Sequence, residues 1–124
     1  MTPQENLNQI MKFLFTIQII NKLYHLNTTS FARHKAADGF DDSIQTHIDR
    51  FAETYIGRYK VKPVVNSIKI DQDFMSDDGI ERLLIQVRQY LETLNTMFTD
   101  ADLLNIRDDL LADVNKTLYL FQLK

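Results

Sequence analysis

The chain of 124 residues has the length of one domain, and a chain of that size buries roughly two-thirds of the surface it exposes when unfolded. Three Gly and two Pro are too few for an all-β sandwich, and 44% hydrophobic with 25% charged residues excludes collagen-like, low-complexity and broadly disordered classes. A net charge of -3 removes the basis for non-specific nucleic-acid binding over the whole surface; the absence of Cys excludes disulfides and thiolate chemistry, so any metal must rely on His, Asp and Glu.

A first helix is predicted behind the Thr2-Pro3 start signal, carried by Leu7, Ile10, Met11, Leu14, Ile17, Leu23 and Tyr24 at spacings of three and four. Phe13, Phe15, Ile19 and Ile20 fill much of its other face, so cover on two sides is expected, one side by the core and one by a partner chain. The stretch Ile10 to Leu26 is too often interrupted by polar residues to span a bilayer, and no cationic start or small-residue cleavage site marks a signal peptide. A soluble, cytoplasmic protein is the expectation.

The cluster Asn27-Thr28-Thr29-Ser30 caps a second helix running to about Tyr59, with Ala37, Phe40, Ile44, Ile48, Phe51 and Tyr55 at the 3.6 period. Gly39 within it costs roughly 1 kcal/mol against Ala, which suggests a close packing partner there. Residues 60 to 76 break the pattern at Pro63 and are rich in β-branched residues, the one long connection. Ser76-Asp77-Asp78-Gly79 then caps a third helix with an apolar stripe from Ile80 to Phe98, and Thr99-Asp100 a fourth with a stripe from Leu103 to Phe121. The expected fold is a single all-α domain over 1–124, an antiparallel four-helix bundle with one long crossover, about residues 60–76, between the second and third helices.

Chemistry concentrates on the second helix, where His34, Asp38, Asp49 and Glu53 follow one another at spacings of four, eleven and four. At about 100° per residue they fall at roughly 0°, 40°, 60° and 100°, one narrow face. The rise of 1.5 Å per residue separates Asp38 from Asp49 by about 16 Å, too far for bonds of about 2 Å to one ion. A two-fold-related copy packed antiparallel on this face would bring His34 and Asp38 of one chain to Asp49 and Glu53 of the other, with His25 available as a further nitrogen ligand. Such a His/carboxylate set suits iron, manganese or zinc better than calcium or magnesium. The other reading of the same residues is a solvated face. Solvation or helix capping is the expected role of Asp41, Asp42, Asp77, Asp78, Asp108 and Asp109, and a surface or hydrogen-bonded role that of His47.

The stretch His34-Lys35-Ala36-Ala37-Asp38-Gly39-Phe40, continuing through His47-Ile48-Asp49-Arg50-Phe51-Ala52-Glu53, resembles the second helix of Dps-type mini-ferritins, and Leu7-Asn8-Gln9 with His25-Leu26-Asn27 fall where that family's first helix carries its leading residues and first ligand His. The resemblance implies a ferritin-like bundle, with His25, His34 and Asp38 from one subunit and Asp49 and Glu53 from its two-fold mate binding iron that peroxide, or more slowly oxygen, oxidises. Where that family has a short helix, Val61 to Ile70 reads as extended and able to pair with its mate as a strand. The expectation is therefore an iron-binding homodimer or larger homo-oligomer with ferroxidase-like activity, no membrane contact and no nucleic-acid partner; the alternative is a helical assembly protein that keeps the bundle without metal work.

Overall fold

The computed structural model describes residues 1–123. Helix α1 (Pro3–Asn27) starts in a capping box: the Thr2 hydroxyl accepts the Glu5 N–H at 3.1 Å while the Glu5 carboxylate accepts the Thr2 N–H at 3.4 Å. Helix α2 (Phe31–Tyr59) starts on Ser30, whose hydroxyl accepts the Arg33 N–H, and it ends at Lys60, which takes the left-handed conformation (φ 59°).

After Lys60, residues 61–71 form neither a helix nor a strand ladder among the described residues. Instead the segment lies on α1: the Gln4 amide donates to the Lys62 carbonyl at 2.6 Å, and the Val64 N–H donates to Asn8 Oδ1 at 2.8 Å. Val61 and Val65, an even number of residues apart, pack against the core on one side of this segment, Ile70 joins them after the alternation shifts phase, and Val64 is exposed. A 3-10 turn (Gln72–Met75) leads to helix α3 (Asp77–Glu92), capped by Ser76.

The third helix ends sooner than its stripe predicts. At Thr93 the hydroxyl donates back to the Tyr90 carbonyl at 2.7 Å, and the chain tightens into a 3-10 turn (Leu94–Thr96). Leu94 and Phe98 stay buried all the same. Helix α4 (Ala101–Leu120) has Asp100 at its cap position, but that carboxylate makes no capping bond: it accepts from the Tyr59 hydroxyl and, at 2.9 Å, from Arg58 Nε.

Among the described residues four α-helices thus pack around one apolar core, α1 along α2, α2 along α4, α4 along α3, with α3 closing on α1. Hydrogen bonds mark which ends meet. The Tyr55 hydroxyl reaches the Pro3 carbonyl, joining the end of α2 to the start of α1. Tyr24, late in α1, donates to Asp77 at the start of α3, and Arg33, early in α2, pairs with Asp77 and Glu81. On the second face of α1, Phe13 packs against Tyr90 in a tilted pair with 3.9 Å between centroids and Ile20 is buried, while Ile19 is 39% exposed. Among the described residues no helix is long and apolar enough to cross a membrane.

Candidate metal centre

The turn between α1 and α2 is three residues long, which places the last turn of one helix beside the first turn of the next. There two histidines lock each other. His25 Nδ1 lies 3.1 Å from the His34 carbonyl, His34 Nδ1 lies 2.8 Å from the His25 carbonyl, and the rings stack at 4.0 Å between centroids. A carbonyl only accepts, so each Nδ1 carries a hydrogen and donates it, which leaves each Nε2 as the nitrogen free for another partner. A metal-binding histidine is commonly fixed in just this way, by donating its other N–H to a carbonyl.

One turn further into α2, Asp38 and Asp41 come to the same place. His25, Asp38 and Asp41 each present one ligand atom, and the three atoms lie within 4.8 Å of one another. Bonds of about 2 Å would hold the ligand atoms roughly 3 to 4 Å apart, so binding would draw the side chains together by about 1 Å. His25 is buried, Asp38 exposed and Asp41 between them, and the two carboxylates line a cleft of about 330 Å³ bordered also by Gln18, Ile19, Lys22 and Gln45.

Asp41 has the least comfortable environment of the three. Its Oδ1 accepts from the amide of fully buried Asn21 at 2.5 Å, and that amide also donates to the Ala37 carbonyl. Its Oδ2 is buried without a hydrogen bond, and Lys22 Nζ stands 3.7 Å away, a charge contact only. Burial pushes the Asp41 carboxyl above the ordinary range, outweighing the Asn21 bond, Lys22 and His25, with Asp38 adding to the rise.

The structure unites His25 and Asp38 of the expected set and adds Asp41, which sequence reasoning assigned to solvation. The signal was present: His34, Asp38 and Asp41 sit at i, i+4 and i+7, on one face. His34 stays outside the group and acts through His25, as a stacking and hydrogen-bonding support. Asp49 and Glu53 are exposed in the second half of α2, on the continuous helix whose rise keeps them apart from Asp38 within one chain.

One other expectation changes. A Cβ built on Gly39 would meet nothing within 4 Å, so this glycine marks no close packing. His47 takes the hydrogen-bonded one of its two expected roles: its Nε2 binds Asp113 on α4 at 2.7 Å, and Ser43 donates to the same carboxylate oxygen. Burial disfavours the charged form of Asp113, but the bonds from Ser43 and His47 outweigh it and hold the carboxyl below its usual range. With Ser43 on the carboxylate instead of on the imidazole, the trio lacks the base–nucleophile contact of a hydrolase triad.

Residues 25–121 match DUF5856, described as a family of unknown function, and the chain belongs to that family. No curated protein and no solved structure matches. The resemblance to Dps-type mini-ferritins is corrected by this assignment. Its physical basis was a spacing of four, eleven and four along one helix, and any long amphipathic helix can place polar residues on one face in that way.

Proposed function

We propose that this chain binds a divalent first-row metal ion, iron foremost with manganese and zinc as the alternatives, through His25, Asp38 and Asp41. The observation that carries the reading is the convergence of one imidazole and two carboxylates, with the imidazole pinned through its Nδ1 and a buried carboxylate oxygen without a hydrogen bond beside it. Imidazole and carboxylate together favour these metals, and the absence of a thiolate fits the hard end of the set.

The reading extends to a homodimer. Two α2 helices laid antiparallel would bring Asp49 and Glu53 of one copy toward His25 and Asp38 of the other, giving each ion oxygen ligands beyond the three of a single chain. Leu26 at 66% exposure and Phe31 at 74% flank the histidine pair and supply apolar surface for such a contact. Within each copy the bundle is read as antiparallel, with residues 60–76 as the long crossover that returns the chain to the end where α2 begins.

Thermal unfolding tests the metal reading. An ion bound only by the folded state, at about 100 times its Kd, adds about 2.7 kcal/mol, a rise in Tm on the order of 10 °C for a domain of this size. The expected outcome is such a rise with Fe(II), Mn(II) or Zn(II) in the wild type and its loss in Asp38→Ala. The Lys22–Asp41 contact favours a second reading, since it already sets a cation beside the carboxylate: a helical assembly protein with no metal. Dimers without any metal-dependent shift in Tm would select it.

A further inference from the structure

We propose that Lys22 is a built-in competitor of the metal ion: in the metal-free chain its ammonium takes the cation's place beside Asp41 Oδ2, and a divalent ion binds only by displacing it. The inference rests on the reading of His25, Asp38 and Asp41 as a metal site, and it concerns what sets the affinity of that site.

The two oxygens of Asp41 have different partners. Oδ1 is pinned by fully buried Asn21, whose amide donates to it at 2.5 Å and to the Ala37 carbonyl at 3.0 Å. Oδ2 has no hydrogen bond, and Lys22 Nζ stands 3.7 Å from it. That separation is too long for a hydrogen bond, so charge alone holds the ammonium there. Lys22 precedes His25 by three residues on α1, which sets the two side chains on one side of that helix. The cleft beside them is bordered by Asp38, Asp41 and Asp42, and Lys22 is its one cationic side chain among the described residues.

An ion and the ammonium repel each other at this oxygen. A metal–oxygen bond of about 2 Å would leave the ion no more than about 6 Å from Nζ where it now stands, two positive charges at close range. Lys22 can leave without breaking a hydrogen bond of its own to Asp41. Its side chain is 56% exposed, and a flexible four-carbon stem carries the head into water. The lost contact and the remaining repulsion weigh equally on every divalent ion. Lys22 therefore leaves the ranking of metals to the imidazole and the carboxylates and raises the free concentration at which any of them fills the site.

Calorimetric titration of Fe(II), Mn(II) and Zn(II) into the full chain and its variants tests the proposal, with iron handled anaerobically and each fold verified by circular dichroism. Lys22→Met removes the charge and keeps most of the stem; Lys22→Gln is the second neutral variant should the first fail to fold. The expected result is affinity raised about threefold or more in the neutral variant. Lys22→Arg, which keeps the charge, binds no tighter than the wild type, and Lys12→Met, which removes the same charge about 15 Å away along α1, binds equally. Saturable binding by the neutral variant alone also supports the competitor, while it overturns the reading that the natural chain loads the ion. Equal or weaker binding by the neutral variant overturns the competitor and leaves the metal site standing, and so does an equal gain in Lys22→Arg or Lys12→Met. No saturable binding by the wild type or the neutral variants overturns the metal site and this inference with it.

Discussion

Asp41 holds a charge where the fold offers it little support. Its Oδ2 is buried without a hydrogen bond, and a lysine at 3.7 Å with 56% side-chain exposure is a weak partner, worth about 0 to 1 kcal/mol. Replacing it by the uncharged isostere keeps the bond from Asn21 and removes the burial of charge. Asp41→Asn is therefore expected to melt above the wild type in the absence of metal and to show no Tm shift with metal, both read by differential scanning calorimetry. A lower Tm would show that the Lys22 contact outweighs desolvation. Asp113 is the opposite case, since Ser43 and His47 hold its carboxyl below the ordinary value. A lowered folded-state value contributes stability that is present above about pH 3.9 and is lost as pH falls through the folded value. Tm measured from pH 7 down to pH 2 should therefore fall less steeply below about pH 4 in Asp113→Asn than in the wild type.

Among the elements, two glycines on helices give opposite predictions. Gly39 lies inside α2 with open space where a Cβ would go, so Gly39→Ala should stabilise by about 0.5 to 1 kcal/mol through lower backbone entropy in the unfolded chain. Gly79 lies in the first turn of α3, and a Cβ there would stand 1.9 Å from the Asp73 carbonyl oxygen, which is backbone and has no rotamer to escape into. Gly79→Ala should cost about 2 kcal/mol or more, seen as a lower urea midpoint at unchanged m-value. Neither glycine can be told from the other in sequence, because the difference lies in residues brought near by the fold: the 3-10 turn packs on α3, while nothing covers Gly39. The helices themselves were legible, since Thr2, Ser30 and Ser76 make their capping bonds where their residue types predict. Asp100 looks the same in sequence but binds Tyr59 and Arg58 instead, and the end of α3 moved because Thr93 bonds back to Tyr90. Both changes come from side-chain partners that no local pattern announces. The site was half legible for a related reason. Helical spacing put His34, Asp38 and Asp41 on one face, but which histidine meets the carboxylates depends on the α1–α2 turn, and the turn selects His25.

For the molecule as a whole, the proposed dimer sets the exposed Asp49 and Glu53 of one copy against the histidine end of the other, where Leu26 and Phe31 supply apolar surface. Sedimentation velocity should then show a dimer whose population rises with added metal, and Glu53→Lys should shift it toward monomer, with helicity unchanged. The central claim remains the ion itself. Its most direct measurement is anaerobic calorimetric titration of Fe(II), repeated with Mn(II) and Zn(II), into the wild type and into His25→Ala, Asp38→Ala and Asp41→Asn. The account predicts one ion per chain in the wild type for at least one of these metals, and affinity reduced at least tenfold, about 1.4 kcal/mol, in each variant. No saturable binding of any of the three, or equal binding by wild type and all three variants, would contradict it.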